Sequence, residues 1–224
     1  MIVTDFDGVI LQSESAKDDA FLECFSIYEN HIDDFMAYHK SNPAIGRYQK
    51  FDHFYTNILN EEFTKNKLNW ISKRFNQIAF RNVVSSKFIP GALNFLKKYS
   101  ELVPIIIVSG TPKEELLKVL KYLEINKFIS KVFSVPPHKS YILSRILIEE
   151  KIKPDQTIYI GDMESDKEAA LKNNIPFLGI INDKYFKNPP SLYIENLDQI
   201  SSYLHINYTT KTVHFLDEKN RPIR

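Results

Sequence analysis

Met1-Ile2-Val3-Thr4-Asp5-Phe6-Asp7-Gly8 is a short apolar run leading directly into two carboxylates and a glycine. Residues i and i+2 of an extended chain point to the same side, so Asp5 and Asp7 can converge on one spot. Two ionised carboxylates roughly 5 Å apart repel by about 3 kcal/mol at an effective dielectric near 20. Such a pair wants a divalent cation, a proton held on one member, or both. Gly8 lets the backbone turn sharply and approach whatever is bound. Taken alone, the same residues also describe an edge strand ending in a solvated acidic turn.

Further along, two apolar runs resemble the first, Pro104-Ile105-Ile106-Ile107-Val108 and Thr157-Ile158-Tyr159-Ile160. They are β-branched and nearly continuous, as expected of parallel strands buried on both faces. Val132–Ser134, Phe177–Ile180 and Leu192–Ile194 are shorter candidates. Helical spacing runs from Pro112 to Leu123, with Thr111 as N-cap, from Lys139 to Glu150 and from Glu164 to Asn173. Strands alternating with helices predict an α/β fold with a doubly wound parallel sheet.

Residues 15–86 break that alternation. Ser15 and Asp18 have the spacing of a capping box, and Ala16, Ala20, Phe21, Cys24 and Phe25 recur at helical intervals. More helical patterns cover Ile32–His39, Arg47–Leu59 and Phe63–Arg81, with Pro43-Ala44-Ile45-Gly46 as a loop. The expected organisation is an α/β core from residues 1–14 and 87–205, an inserted all-helical domain over 15–86, and a C-terminal extension over 206–224. Within that extension Thr212–Leu216 is a possible strand. Pro90 should begin the helix that returns the chain to the sheet.

Every remaining polar feature falls at the C-terminal end of an expected strand, the edge where open α/β sheets bind ligands. Ser109-Gly110-Thr111 is either an ordinary N-cap or a hydroxyl with free backbone N–H groups facing an anion. Lys139, after Pro136-Pro137-His138, is either a solvated charge or an ammonium at the same edge. Asp162 ends a strand, and Asp166 lies one helical turn further on. With Asp5 and Asp7 they would suit an oxygen-liganded hard cation such as Mg²⁺, although acids at a helix start also serve as dipole partners.

Together, Asp5-x-Asp7-Gly8, Ser109 with Gly110-Thr111, Lys139 and Gly161-Asp162-x-x-x-Asp166 resemble the four motifs of the haloacid dehalogenase superfamily, in order and in placement. The resemblance covers about Met1 to Ile180. The helical insert is similar to the cap of the phosphoglycolate phosphatase and β-phosphoglucomutase branch, as are Asp7-Gly8-Val9-Ile10 and Ser13-Glu14. Gln12 departs from the acid often found there. The resemblance implies a Rossmannoid core with an inserted helical cap, and a Mg²⁺-dependent phosphatase acting on a small sugar or organic-acid phosphate. It implies Asp5 as nucleophile, Asp7 as acid and base, and Ser109, Gly110 and Lys139 around the phosphoryl group. Mg²⁺ would be held by Asp5, the Asp7 carbonyl and Asp162, with Asp166 behind them or through water. Arg47 of the cap would meet the far end of the substrate, or else simply start a helix. A phosphomutase of the β-phosphoglucomutase type is the alternative.

Bulk properties are compatible with that expectation. Lys and Arg number 29 against 28 Asp and Glu, a formal charge of +1, which argues against nucleic acid or an anionic membrane as partner. The single cysteine, Cys24, lies in a helical apolar pattern and reads as a buried structural thiol in a reducing compartment. No apolar run has membrane-spanning length and no signal-peptide pattern is found, so a cytoplasmic protein, a monomer or weak homodimer, is expected. Tyr48, Phe51, Phe54 and Tyr55 are expected in the core of the helical domain; Lys50 and His53 are weaker site candidates, and His138 is expected to be exposed, without a catalytic role.

Overall fold

The computed structural model describes residues 1–42, 45–181, 186–207 and 212–216. Pro43 and Ala44 of the expected loop, and residues 208–211 and 217–224 of the expected extension, lie outside the described residues. Strand β1 (Ile2–Thr4) is followed by helices α1 (Ala16–Phe25), α2 (Ile32–Ser41), α3 (Arg47–His53) and α4 (Lys65–Ser85). Helices and strands then alternate: α5 (Ala92–Ser100), β2 (Ile105–Ser109), α6 (Lys113–Tyr122), β3 (Lys131–Ser134), α7 (Lys139–Glu150), β4 (Ile158–Gly161), α8 (Glu164–Lys172), β5 (Phe177–Ile180) and β6 (Tyr193–Ile194). An antiparallel pair, β7 (Leu204–Asn207) and β8 (Thr212–Phe215), follows. The chain divides into two compact units: Met1–Gln12 with Lys87–Arg224, and Ser13–Ser86. No described helix is long and apolar enough to cross a membrane.

In the first unit β3-β2-β1-β4-β5-β6 form one six-stranded sheet, and all neighbouring pairs are parallel. The chain leaves β1 for β2 and β3 on one side and returns to β4, β5 and β6 on the other. The winding therefore reverses between β1 and β4, and ligands of such sheets bind off the strand ends at that reversal. Thr4 pairs with both Ile107 and Ile160, so Asp5, Ser109 and Asp162 arrive at one sheet edge. Both faces are covered. Val3, Ile106, Val108 and Tyr159 pack against Ile142, Leu143 and Ile146 of α7 and Ala169 and Ala170 of α8. The alternate residues Ile2, Ile105, Ile107, Ile158 and Ile160 point the other way and are fully buried too. Burying each such side chain stabilises by roughly 1.5–3 kcal/mol.

The second unit is helical, with an aromatic core. Phe25 meets Phe35 and Phe54 at ring-centroid distances of 4.2 Å each, and Phe21 meets Phe75 at 4.5 Å. On α4, Ile71, Phe75, Ile78 and Ala79 are buried at i, i+4, i+7 and i+8, a single apolar stripe. The Thr64 hydroxyl caps that helix by accepting the Lys67 N–H. Cys24 is buried, as its helical spacing implies.

Several local expectations are corrected. Ser15 makes no side-chain cap bond; Asp18, its supposed partner, instead accepts from His39 Nε2 at 2.9 Å. The helical run expected from Arg47 to Leu59 is present as far as Ile58 but changes type on the way. After His53 it widens into a π turn over Phe54–Ile58, in which the Leu59 N–H reaches back to the Phe54 carbonyl. The wider turn leaves two consecutive aromatics, Phe54 and Tyr55, both buried, whereas Tyr48 is 56% exposed and outside the core. The helix after Phe88 starts at Ala92 with Gly91, not Pro90, at its boundary. The N-cap of α6 is Pro112 rather than Thr111, whose hydroxyl donates to Asp7 Oδ2.

Candidate active site

Asp5 stands one residue beyond β1 but is still tied to the sheet: its N–H donates to the Ile160 carbonyl of β4 at 2.9 Å. Its Oδ1 accepts the Phe6 N–H at 2.6 Å, which fixes the rotation of the carboxylate. The chain then turns tightly, with Gly8 at φ 75° and its N–H donating to the Leu11 carbonyl. That left-handed conformation is one a side chain resists. Asp7, half-buried on the turn, accepts the Thr111 hydroxyl on Oδ2 at 3.0 Å. The strand end of β1 and the loop after β2 are joined by that bond.

Asp5, Asp162 and Asp166 each offer a carboxylate oxygen, and these oxygens all lie within 4.8 Å of one another. The three residues are only 5%, 2% and 0% exposed. Lys139, at the start of α7, lies among them: Nζ donates to Asp5 Oδ2 at 2.5 Å and to Asp166 Oδ1 at 2.6 Å. One ammonium against three carboxylates leaves a surplus of negative charge in a buried place, where charge is costly. Burial accordingly raises the Asp5 carboxyl to about 6; Lys139 pulls it down, while Asp166 and Asp7 push it further up. Burial works to lower the Lys139 ammonium, but Asp5 and Asp166 together outweigh it and hold the proton on the lysine.

Asp166 is the most constrained member. Tyr159 of β4 donates its hydroxyl to Asp166 Oδ1 at 2.6 Å, and the Met163 N–H reaches Oδ2 at 3.2 Å. Gly161 makes room for it: a Cβ there would stand 2.5 Å from the Asp166 Cβ. Burial, then Asp166 and Asp5, raise the Tyr159 phenol well above its ordinary range, so it acts as a donor. Carboxylates alone form the converging donor set, and hard oxygen ligands with surplus negative charge fit a small divalent cation such as Mg²⁺.

Ser109 ends β2 fully buried, its Oγ accepting the Thr111 N–H at 3.0 Å, which leaves its own O–H as a donor. Gly110 is exposed at the same strand end, with open space where a side chain would be. Six of the expected site residues, Asp5, Asp7, Ser109, Lys139, Asp162 and Asp166, thus stand with Gly110 at one edge of one sheet. Arg47 belongs to the helical unit, where Nη1 donates to Asn76 Oδ1 at 2.7 Å and the guanidinium lies over the Phe75 ring. Lys50 is no site residue: it is 3% exposed, with Nζ 2.8 Å from His39 Nδ1 inside the helical unit. His53 stacks on Tyr38, and His138 is exposed. Tyr159 enters the site without any motif to mark it, and Thr111, expected as a helix cap beside Ser109, donates to Asp7 instead. A polar tip on an otherwise aliphatic strand is the one signal that could have singled out Tyr159.

Comparison with known proteins agrees with this geometry. The family model described as haloacid dehalogenase-like hydrolase matches residues 2–180. No curated protein matches the chain. Among solved structures, a predicted phosphoglycolate phosphatase of Haemophilus somnus aligns with a TM-score of 0.69 at 16% identity, covering 90% of this chain and 96% of that one. A provisional β-phosphoglucomutase of Thermotoga maritima aligns at 0.67 and 18% identity, covering 90% and 98%. A provisional hydrolase of the same superfamily from Bacillus subtilis, bound to magnesium, aligns at 0.68 and 13% identity, covering 89% and 95%. Identities this low establish the shared fold alone. With the family model spanning most of its length and the four strand-end motifs assembled at one edge, the chain belongs to the haloacid dehalogenase-like hydrolase family.

Proposed function

We propose that the chain is a Mg²⁺-dependent phosphatase that hydrolyses a small phosphorylated metabolite by way of a phosphoryl group held on Asp5. One observation supports the reading above the rest: the Asp5, Asp162 and Asp166 carboxylates converge, with the Lys139 ammonium shared between Asp5 and Asp166. Asp5, Asp162 and the Asp7 carbonyl would hold the cation, with Asp166 supporting. When bound, Mg²⁺ would neutralise the carboxylates and the phosphate oxygens so that an anionic nucleophile can approach a dianion.

In the first step an Asp5 carboxylate oxygen attacks phosphorus, the ester P–O bond breaks, and the leaving oxygen takes a proton from the Asp7 carboxyl. In the second, Asp7 takes a proton from a water whose oxygen attacks the same phosphorus. The bond to Asp5 breaks, phosphate departs, and both acids return to their starting states. Ser109, the Gly110 N–H and Lys139 would receive the phosphoryl oxygens and their developing charge. The Thr111 hydroxyl, which donates to Asp7 Oδ2, would hold that carboxyl in place. The helical unit would serve as a cap that excludes water and sets specificity, with Arg47 facing a carboxylate or hydroxyl of the substrate.

The test is release of nitrophenol from p-nitrophenyl phosphate. It should require Mg²⁺ and fall by about three orders of magnitude or more in Asp5→Asn; activity that survives this substitution contradicts the assignment. A phosphomutase is the second reading, favoured by the likeness to the Thermotoga maritima structure. It shares the first step and differs in the acceptor, so a sugar phosphate isomerised without release of phosphate would select it.

A further inference from the structure

Tyr159 sits in the middle of β4, unexposed, with its ring in the apolar layer under α7 and α8 and in T-shaped contact with Phe177. A phenylalanine would fill that layer equally well. The hydroxyl, however, reaches out of the layer to Asp166 Oδ1 at 2.6 Å, the same oxygen that receives Lys139 at 2.6 Å. Lys139 is at that moment also bonded to Asp5 Oδ2. The other Asp166 oxygen accepts the Met163 N–H, and the Asp166 Cβ rests against Gly161.

Asp166 is therefore held from three directions: the strand beneath, its own helix start and the lysine. Removing the strand's contribution leaves Oδ1 tied only to the Lys139 ammonium, which sits at the end of a flexible four-carbon stem. That ammonium could then be drawn toward Asp166 and away from the position it shares with Asp5. A bond between neutral phenol and carboxylate is charge-assisted and short, as observed, and so suited to fixing an orientation.

We propose that Tyr159 is a positioning residue, whose hydroxyl fixes Asp166 so that Lys139 stays beside Asp5 and the carboxylates keep the arrangement that takes the cation. The kinetic consequence rests on the phosphatase reading above; the consequence for cation binding does not. Outer partners of metal-holding carboxylates typically change metal affinity or activity by about ten- to a hundredfold when removed.

Tyr159→Phe preserves shape and deletes only the hydroxyl. With p-nitrophenyl phosphate, kcat should fall about tenfold and KM stay near that of the wild type, because the lysine's placement matters most once charge develops. Calorimetric titration with magnesium chloride should show a severalfold weaker dissociation constant, with an unchanged circular dichroism spectrum. Wild-type values of kcat and magnesium affinity in a folded variant overturn the proposal while leaving the phosphatase reading intact. A wild-type chain without phosphatase activity overturns that reading instead, and the magnesium titration alone then decides on Tyr159. Should Tyr159→Phe fail to fold, a chain carrying 3-fluorotyrosine at position 159 only keeps ring and hydroxyl. Its fluorine resonance should move when magnesium chloride is added, and a resonance that does not move overturns the proposal.

Discussion

At the scale of single residues, the site depends on places where one atom more or less decides the geometry. Gly161 is the clearest case. Its backbone is not in the left-handed region, so its requirement is one of space: a Cβ would meet the Asp166 Cβ at 2.5 Å and its Cγ at 2.7 Å. Neither atom can swing away, because the Cβ is bound to the backbone of α8 and the carboxylate is held by Tyr159, Lys139 and Met163. Gly161→Ala should destabilise the folded chain by about 1–3 kcal/mol, the cost of overpacking, and weaken magnesium binding as well. Urea unfolding measures the first effect; a variant as stable as the wild type would contradict the packing described. The motif residues were legible because carboxylates, glycine and lysine at strand ends have few other reasons to recur in that order. Tyr159 was not, since a tyrosine in an aliphatic strand reads as core until the hydroxyl's partner is known. Thr111 reads as a helix cap by local rules, and only folding brings it to Asp7, 104 residues earlier.

Among the elements, strand and helix limits were largely readable, because buried parallel strands are apolar throughout and helices between them are amphipathic. Where the reading failed, a distant partner had won. Asp18 leaves the expected capping box for His39 on α2, and His39 in turn stands 2.8 Å from Lys50 on α3. With Lys50 as an ammonium, His39 Nδ1 accepts, and Nε2–H donates to Asp18. This chain ties three helices together around a buried amine. Burial lowers Lys50 from its ordinary 10.5, against the pull of Asp18. The folded chain thus releases that proton at lower pH than the unfolded chain. Between the two values the unfolded state binds more protons, so stability rises with pH there. Below the lowered value the penalty is fully present, and above 10.5 it is gone. Lys50→Met removes the contribution, so wild-type stability minus that of the variant should grow as pH rises toward 10.5. Chemical unfolding of both proteins across the alkaline range measures it, and a difference that stays level or shrinks would contradict the buried-amine account.

For the molecule as a whole, the order β3-β2-β1-β4-β5-β6 explains how residues scattered over 160 positions gather at one sheet edge. The reversal between β1 and β4 opens the sheet edge where Asp5 and Asp162 emerge side by side, and the flanking strand ends add Ser109 and Lys139. Sequence order alone anticipated that gathering; which carboxylates the lysine would bridge was settled only by folding. In the proposed reaction Asp5 carries the phosphoryl group during turnover. The most direct measurement is rapid acid quenching of the chain during turnover of p-nitrophenyl phosphate with Mg²⁺, followed by mass spectrometry of its peptides. One phosphoryl group is expected on the peptide containing Asp5, absent from Asp5→Asn. Turnover with the phosphoryl group on another residue, or with no phosphorylated peptide under any quench time, would contradict it.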